Sequence, residues 1–185
     1  MHREIYQENR PAEAGGYGNI LDQVQTPTRY TGNEINSVRK DPGSVDLTFA
    51  LVFPDLYEIG TSHFGLQILY SILNSQTWLA AERFFAPAPD MEARLKEKGL
   101  PVLSMESGTP LSGFDIIGVS LLYELNFTNI LTLFHLSGIP FFAQERDGSF
   151  PLVIGGGPCA YNPEPLADFF DAFVIGDGEI AILEV

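Results

Sequence analysis

Short apolar runs that alternate with stretches of helical period constrain this chain more than any other feature. VDLTFALVFP begins at Val45, and AERFFAP, FDIIGVSLLY, PLVIGGG and DAFVIGDGE follow along the 185 residues. Each is rich in β-branched and aromatic side chains and ends at glycine, proline or a polar turn, which predicts a strand. Between them LQILYSILN sets Leu66, Leu69, Tyr70 and Leu73 on one helical face, with Thr61 or Ser62 as N-cap. MEARLKEKG predicts a short amphipathic helix closed by Gly99, and LNFTNILTLFHLSG, PEPLADFF and the terminal EIAILEV predict three more. DLYEIGTSHFG is read as a loop and PVLS as a small strand. IPFFAQE stays open between an edge strand and a connection.

The runs are apolar throughout rather than alternating, as in strands covered on both faces of a parallel sheet. The expected fold is α/β: a doubly wound, mostly parallel, five-stranded Rossmann/flavodoxin-like sheet in the order 2-1-3-4-5. Ligands of such sheets sit beyond the carboxyl ends of the strands. The candidate site loops are therefore Pro54–His63, Ser120–Glu124, Gly155–Tyr161 and Gly176–Glu179.

Residues 1–44 carry no clear period and are expected to form a partly ordered extension to a domain spanning 45–185. An arm packed on the domain is expected after about residue 26, anchored by Tyr30 and Ile35. The first 18 residues hold no apolar signal-like core, and no stretch approaches a membrane span. A single cysteine, Cys159, leaves no internal disulfide and fits a reducing, cytoplasmic setting. Charge is uneven. Residues 1–44 hold five Lys/Arg against six acids, and residues 45–185 hold five against eighteen, a net of −13 within the total of −14. That surface repels phosphate backbones, which excludes nucleic-acid binding by this domain and leaves room for a basic partner.

Chemistry-bearing residues are sparse. Gly155–Gly157 does not extend to a dinucleotide fingerprint, because Ala160 stands where the third glycine belongs. His63, between the first strand and its helix, reads either as a ligand through an imidazole nitrogen or as a structural loop histidine. Cys159 has no neighbouring base in sequence, and Asp55 and Glu58 fit a solvated acidic loop. No catalytic set and no metal-ligand spacing emerges, so no catalytic or metal-binding residue is assigned.

The loops taken together resemble cobalamin-binding domains, in which a D-x-H-x-x-G loop, an S-x-L element and a GG element surround the corrin. Here the matching positions are His63, Ser120-Leu121-Leu122 and Gly156-Gly157. RYTGNEINSV, FALVFPDLYEIGTSHFGLQILY and the stretch from Leu152 to Glu179 are similar, more specifically, to the N-terminal cobalamin-binding-like domain of radical SAM proteins. The resemblance implies corrin contacts from Ser120, Leu122, Gly155, Gly156, Gly157, Gly176 and Glu179, with His63 as a weaker match. Thr61 stands two residues before His63 where the motif has Asp, and Leu66 three after it where the motif has Gly. The family's C-x-x-x-C-x-x-C loop for a [4Fe–4S] cluster needs three thiols, and this chain has one. The cluster and S-adenosylmethionine are thus expected in a catalytic barrel of the same parent chain, beyond a last helix that stops short at Val185. Two roles follow. One is an accessory domain that places a corrin beside that barrel; the other is a degenerate, cofactor-free docking or oligomerisation module. Flavin or nucleotide binding rests on fold analogy alone.

Overall fold

The computed structural model describes residues 16–185. Its centre is a five-stranded sheet of β1 (Leu47–Phe53), β2 (Leu79–Phe85), β3 (Ile116–Ser120), β4 (Leu152–Gly156) and β5 (Ala172–Val174). The strand order is β2-β1-β3-β4-β5, and every neighbouring pair is parallel. This is the Rossmann/flavodoxin-like architecture, with the expected order. Helices α1 (Tyr57–Thr61), α2 (Phe64–Ser75), α3 (Pro89–Lys98) and α4 (Phe127–Leu136) fall in the connections, and α5 (Gly178–Ala181) follows β5.

Alternate residues of the strands feed two cores, as the period of two requires. Ala50, Val52, Phe84, Ile117, Val119 and Val153 pack under Met91 and Leu95 of α3 and Ile130, Leu133 and Phe134 of α4. Phe49, Leu51, Phe53, Leu79, Ala81 and Phe85 pack under Leu66, Tyr70 and Leu73 of α2. Phe49 and Phe53 are buried almost completely, and each is worth about 1.5–3 kcal/mol of transfer free energy. Gly99 ends α3 in the left-handed conformation, as its place in the sequence predicts.

Several local expectations are corrected. The N-cap of α2 is His63, whose Nδ1 accepts from the Leu66 amide at 3.3 Å, and not Thr61 or Ser62. Thr61 and Ser62 instead bond back to the carbonyls of Tyr57 and Glu58, because the loop after β1 contains the one-turn helix α1. The 163–170 segment is a 3-10 turn, Glu164–Phe169, since Pro163 and Pro165 remove the amides that a longer helix would need. PVLS contributes only a single bridge, Leu103 to Pro110, and the 139–145 connection holds a 3-10 turn and no strand.

The segment from Gly16 to Ser44 lies against the β2 side of the domain. Tyr17, Ile20 and Leu21, earlier than the expected start of packing, are buried in the α3–α4 core. The Leu103 amide donates to the Tyr17 hydroxyl at 2.7 Å, and the Ala88 amide donates to that of Tyr30 at 3.0 Å. Tyr30 is therefore an anchor; Ile35 is not, being fully exposed. Glu34 pairs with Arg83 at 2.7 Å and accepts from the Tyr57 hydroxyl at 2.6 Å. Lys40 Nζ donates to the carbonyls of Asn74, Gln76 and Leu79.

The outer rim of β2 is closed in the same region. The Asn74 amide bonds both the N–H and the C=O of Ala81, Glu106 accepts from the Arg83 amide, and the Met105 amide donates to the Arg83 carbonyl. A seven-residue buried edge strand is thus denied to other chains.

Candidate functional site: the carboxyl edge of the sheet

The parallel register brings the loops after β1, β3, β4 and β5 to one edge, and side-chain bonds tie them together. After β1, Asp55 accepts from its neighbour Leu56 and from Asn126 Nδ2 at 3.2 Å. Asn129 Nδ2 donates to the Pro54 carbonyl at 2.9 Å. The first and third loops are therefore fastened by two asparagines that the sequence reading did not single out. Their position at the start of a helix, facing a strand-end turn, was the available signal.

Leu121 occupies the middle of the edge. Its amide donates to the Gly156 carbonyl at 2.7 Å, and its own carbonyl accepts from the Cys159 amide at 3.0 Å. Its side chain lies where a Cβ on Gly155 would fall, at 2.7 Å, with Phe173 and Phe170 just beyond. A Cβ on Gly157 would stand 2.9 Å from the Leu121 carbonyl oxygen, and Gly157 has φ of +113°. Gly155 and Gly157 therefore serve contact within the chain. Gly156 has ordinary room, 3.8 Å to the Val174 carbonyl, and Gly176, also at positive φ, faces open space.

The remaining sequence candidates are scattered along the same edge. Ser120, the last residue of β3, and Leu122 are half-buried, Leu122 against the α2-side core. Glu179 is exposed in the first turn of α5, near the side of α2, where Leu69 approaches Gly178. His63 is turned inward: its ring packs on Phe53 with centroids 5.2 Å apart, and its Nδ1 is committed to the Leu66 amide. Burial, with the nearby Glu124 charge, pushes the Cys159 thiol up, so it is poorly suited to act as a nucleophile at neutral pH. Among the described residues no group of three or more His, Cys, Asp or Glu side chains is placed to hold a metal ion.

Large apolar side chains nevertheless stand out in solvent at this edge. Phe64 after β1, Leu125 after β3, Tyr161 after β4 and Ile175 after β5 are 78%, 90%, 74% and 59% exposed. The nearby cavity on the β2 side, lined by Tyr17, Tyr30, Tyr57, Phe85 and Leu103, measures only about 20 Å³, room for a water molecule.

A five-stranded parallel sheet flanked by helices, with its carboxyl edge packed from within, defines an α/β domain of the doubly wound class. The family model for the N-terminal region of radical SAM proteins matches residues 65–185, and the chain belongs to that family. It is also similar to an uncharacterised protein of Methanocaldococcus jannaschii, with 21% identity over 131 residues, or 70% of this chain. The aligned part is 24% of that relative, so the chain spans about a quarter of its length.

Proposed function

We propose that this domain is a non-catalytic accessory module that packs the carboxyl edge of its sheet against the radical SAM catalytic domain of the same parent protein. The observation that carries this reading is the set of exposed Phe64, Leu125, Tyr161 and Ile175 on an edge where Leu121 already fills the space at Gly155 and Gly157. Soluble domains keep large contiguous apolar surface for partners. Radical chemistry, with its [4Fe–4S] cluster and S-adenosylmethionine, belongs on this reading to the partner domain, since the chain's one thiol cannot hold a cluster. A cytoplasmic location accords with that oxygen-sensitive chemistry and with the free cysteine.

Corrin binding at the same edge is the competing reading. The sheet order and the room at Gly156 and Gly176 favour it. Leu121 across Gly155 and Gly157, and a His63 nitrogen already used as a cap, argue against it. The residues present do not make the open glycine cradle that a corrin needs, and no chemistry is assigned through one.

The test is titration of this chain against the separately produced catalytic domain, followed by calorimetry and gel filtration. A 1:1 complex is expected. Leu125→Asp or Tyr161→Asp should weaken it about ten- to hundredfold, the equivalent of one buried apolar side chain. Gel filtration after incubation with hydroxocobalamin separates the readings: a protein peak that keeps the corrin's visible absorbance establishes the cofactor role, and a colourless one leaves docking.

A further inference from the structure

The charges around this edge say what kind of surface meets it. Loop residues 54–63, 121–126, 157–164 and 175–180 contain Asp55, Glu58, Glu124, Glu164, Asp177 and Glu179 and no lysine or arginine. Asp55 is used internally, and Glu58 is paired with Arg29 of the N-terminal segment at 2.7 Å. Glu124, Glu164, Asp177 and Glu179 are exposed and make no ion pair among the described residues. The domain's cations lie elsewhere. Arg83 is held by Glu34 and Glu106, Arg94, Lys96 and Lys98 sit on α3 beside glutamates, and Arg146 is bound to Asp171 and to backbone carbonyls.

We propose, building on the docking reading above, that the occupant of this edge is a protein surface with an apolar centre and a lysine- and arginine-rich rim. Phe64, Leu125, Tyr161 and Ile175 supply the apolar centre on this side, and Glu124, Glu164, Asp177 and Glu179 the acidic rim. The sign of the rim decides between occupants. A second copy of this chain meeting it edge to edge, in a two-fold contact, would set the same four carboxylates against one another. Anionic lipid headgroups and nucleic-acid phosphates are repelled likewise. A basic-rimmed protein face gains attraction at the rim, where such charges act mainly on the association rate, and burial at the centre.

Stopped-flow association of this chain with the separately produced catalytic domain tests the inference. Raising the ionic strength from about 0.05 M to about 0.5 M shortens the Debye length several-fold and is expected to slow association about tenfold or more. The double variant Glu124→Lys/Asp177→Lys should associate at least tenfold more slowly at low salt and lose most of the salt dependence. Lys98→Glu, at the far end of α3, should behave as wild type in the salt response apart from a small general field effect. A rate indifferent to salt, or a double variant that binds like wild type, overturns the basic rim. If Leu125→Asp still weakens that same complex, docking itself survives. If Leu125→Asp also has no effect, or no complex forms, the docking reading falls together with the rim. A chain that instead self-associates through this edge, with Leu125→Asp dissociating it, overturns the choice of occupant.

Discussion

Gly157 is the residue at which backbone geometry and packing meet most tightly. An L side chain there meets both a φ of +113° and the Leu121 carbonyl at 2.9 Å. Gly157→Ala is expected to cost about 1–3 kcal/mol by urea denaturation, the range for a strained backbone position. Gly156→Ala, with its nearest neighbour at 3.8 Å, should stay within about 1 kcal/mol. The sequence marks both glycines as strand-end turns and leaves their reasons indistinguishable, because the Leu121 backbone that closes on Gly157 arrives from another strand's loop. His63 teaches the same thing: its position beside the first strand is legible, but its capping bond and its contact with Phe53 are set by the turn of α1 before it. At the β2 side, burial pushes the Glu106 carboxyl up while Arg83 draws it down, and its two oxygens accept from the Arg83 amide and Nε, each at 2.7 Å. Removing one partner of such a pair leaves the other charge buried alone. Arg83→Met is therefore expected to cost about 3–5 kcal/mol, again by denaturation.

Among elements, the five strands are readable as short apolar runs closed by turn residues, and the helices at 64–75, 89–98 and 127–136 because each is long enough for its period to show. The 3-10 turn at 164–169 was not, since two prolines interrupt a pattern too short to separate it from a helix. The packing of Tyr17, Ile20 and Leu21 was also hidden: three apolar residues among glycines have no period, and their partners Leu103 and α3 lie far along the chain. Tyr17→Ala should cost about 3–5 kcal/mol, as for other buried aromatics. The attachment of this segment depends on pH. The Asp90 carboxyl is held below its ordinary range by the Gln25 amide, 2.7 Å away, and Glu58 is held below its range by Arg29. A carboxyl depressed in the folded state contributes above its unfolded value and loses that contribution as pH falls through the folded one. Amide exchange and protease cleavage at residues 16–30 should therefore increase on acidification below the usual carboxylate range, while the amides of β1 and β3 stay protected.

At the scale of the whole molecule, the parallel topology was legible from apolar runs alone, since only a sheet covered on both faces explains them. What the edge does was less legible. The residues exposed on its outside, Phe64, Leu125, Tyr161 and Ile175, have no pattern in sequence and come to one edge only through the strand order. A net charge of −14 on a chain of 185 residues also carries a cost in self-repulsion. Screening it should raise the midpoint of thermal unfolding by a few degrees between about 0.01 M and about 0.3 M sodium chloride, within the range of small changes in stability. Scanning calorimetry at fixed pH checks this.

The N-terminal segment has a consequence for the order of events during synthesis. It is made before the sheet, yet Tyr17 is held by Leu103, 86 residues later, and Gln25 by Asp90, 65 residues later. At about 5–20 residues per second, the tyrosine waits roughly 4–17 s on the ribosome before its partner exists. For the last part of that interval, about 1–4 s at the same rate, β2 has been made without the Met105 and Glu106 that close its outer rim. The nascent domain is therefore most vulnerable to mispairing midway through its own translation, and Tyr17 can dock only once Leu103 has been made.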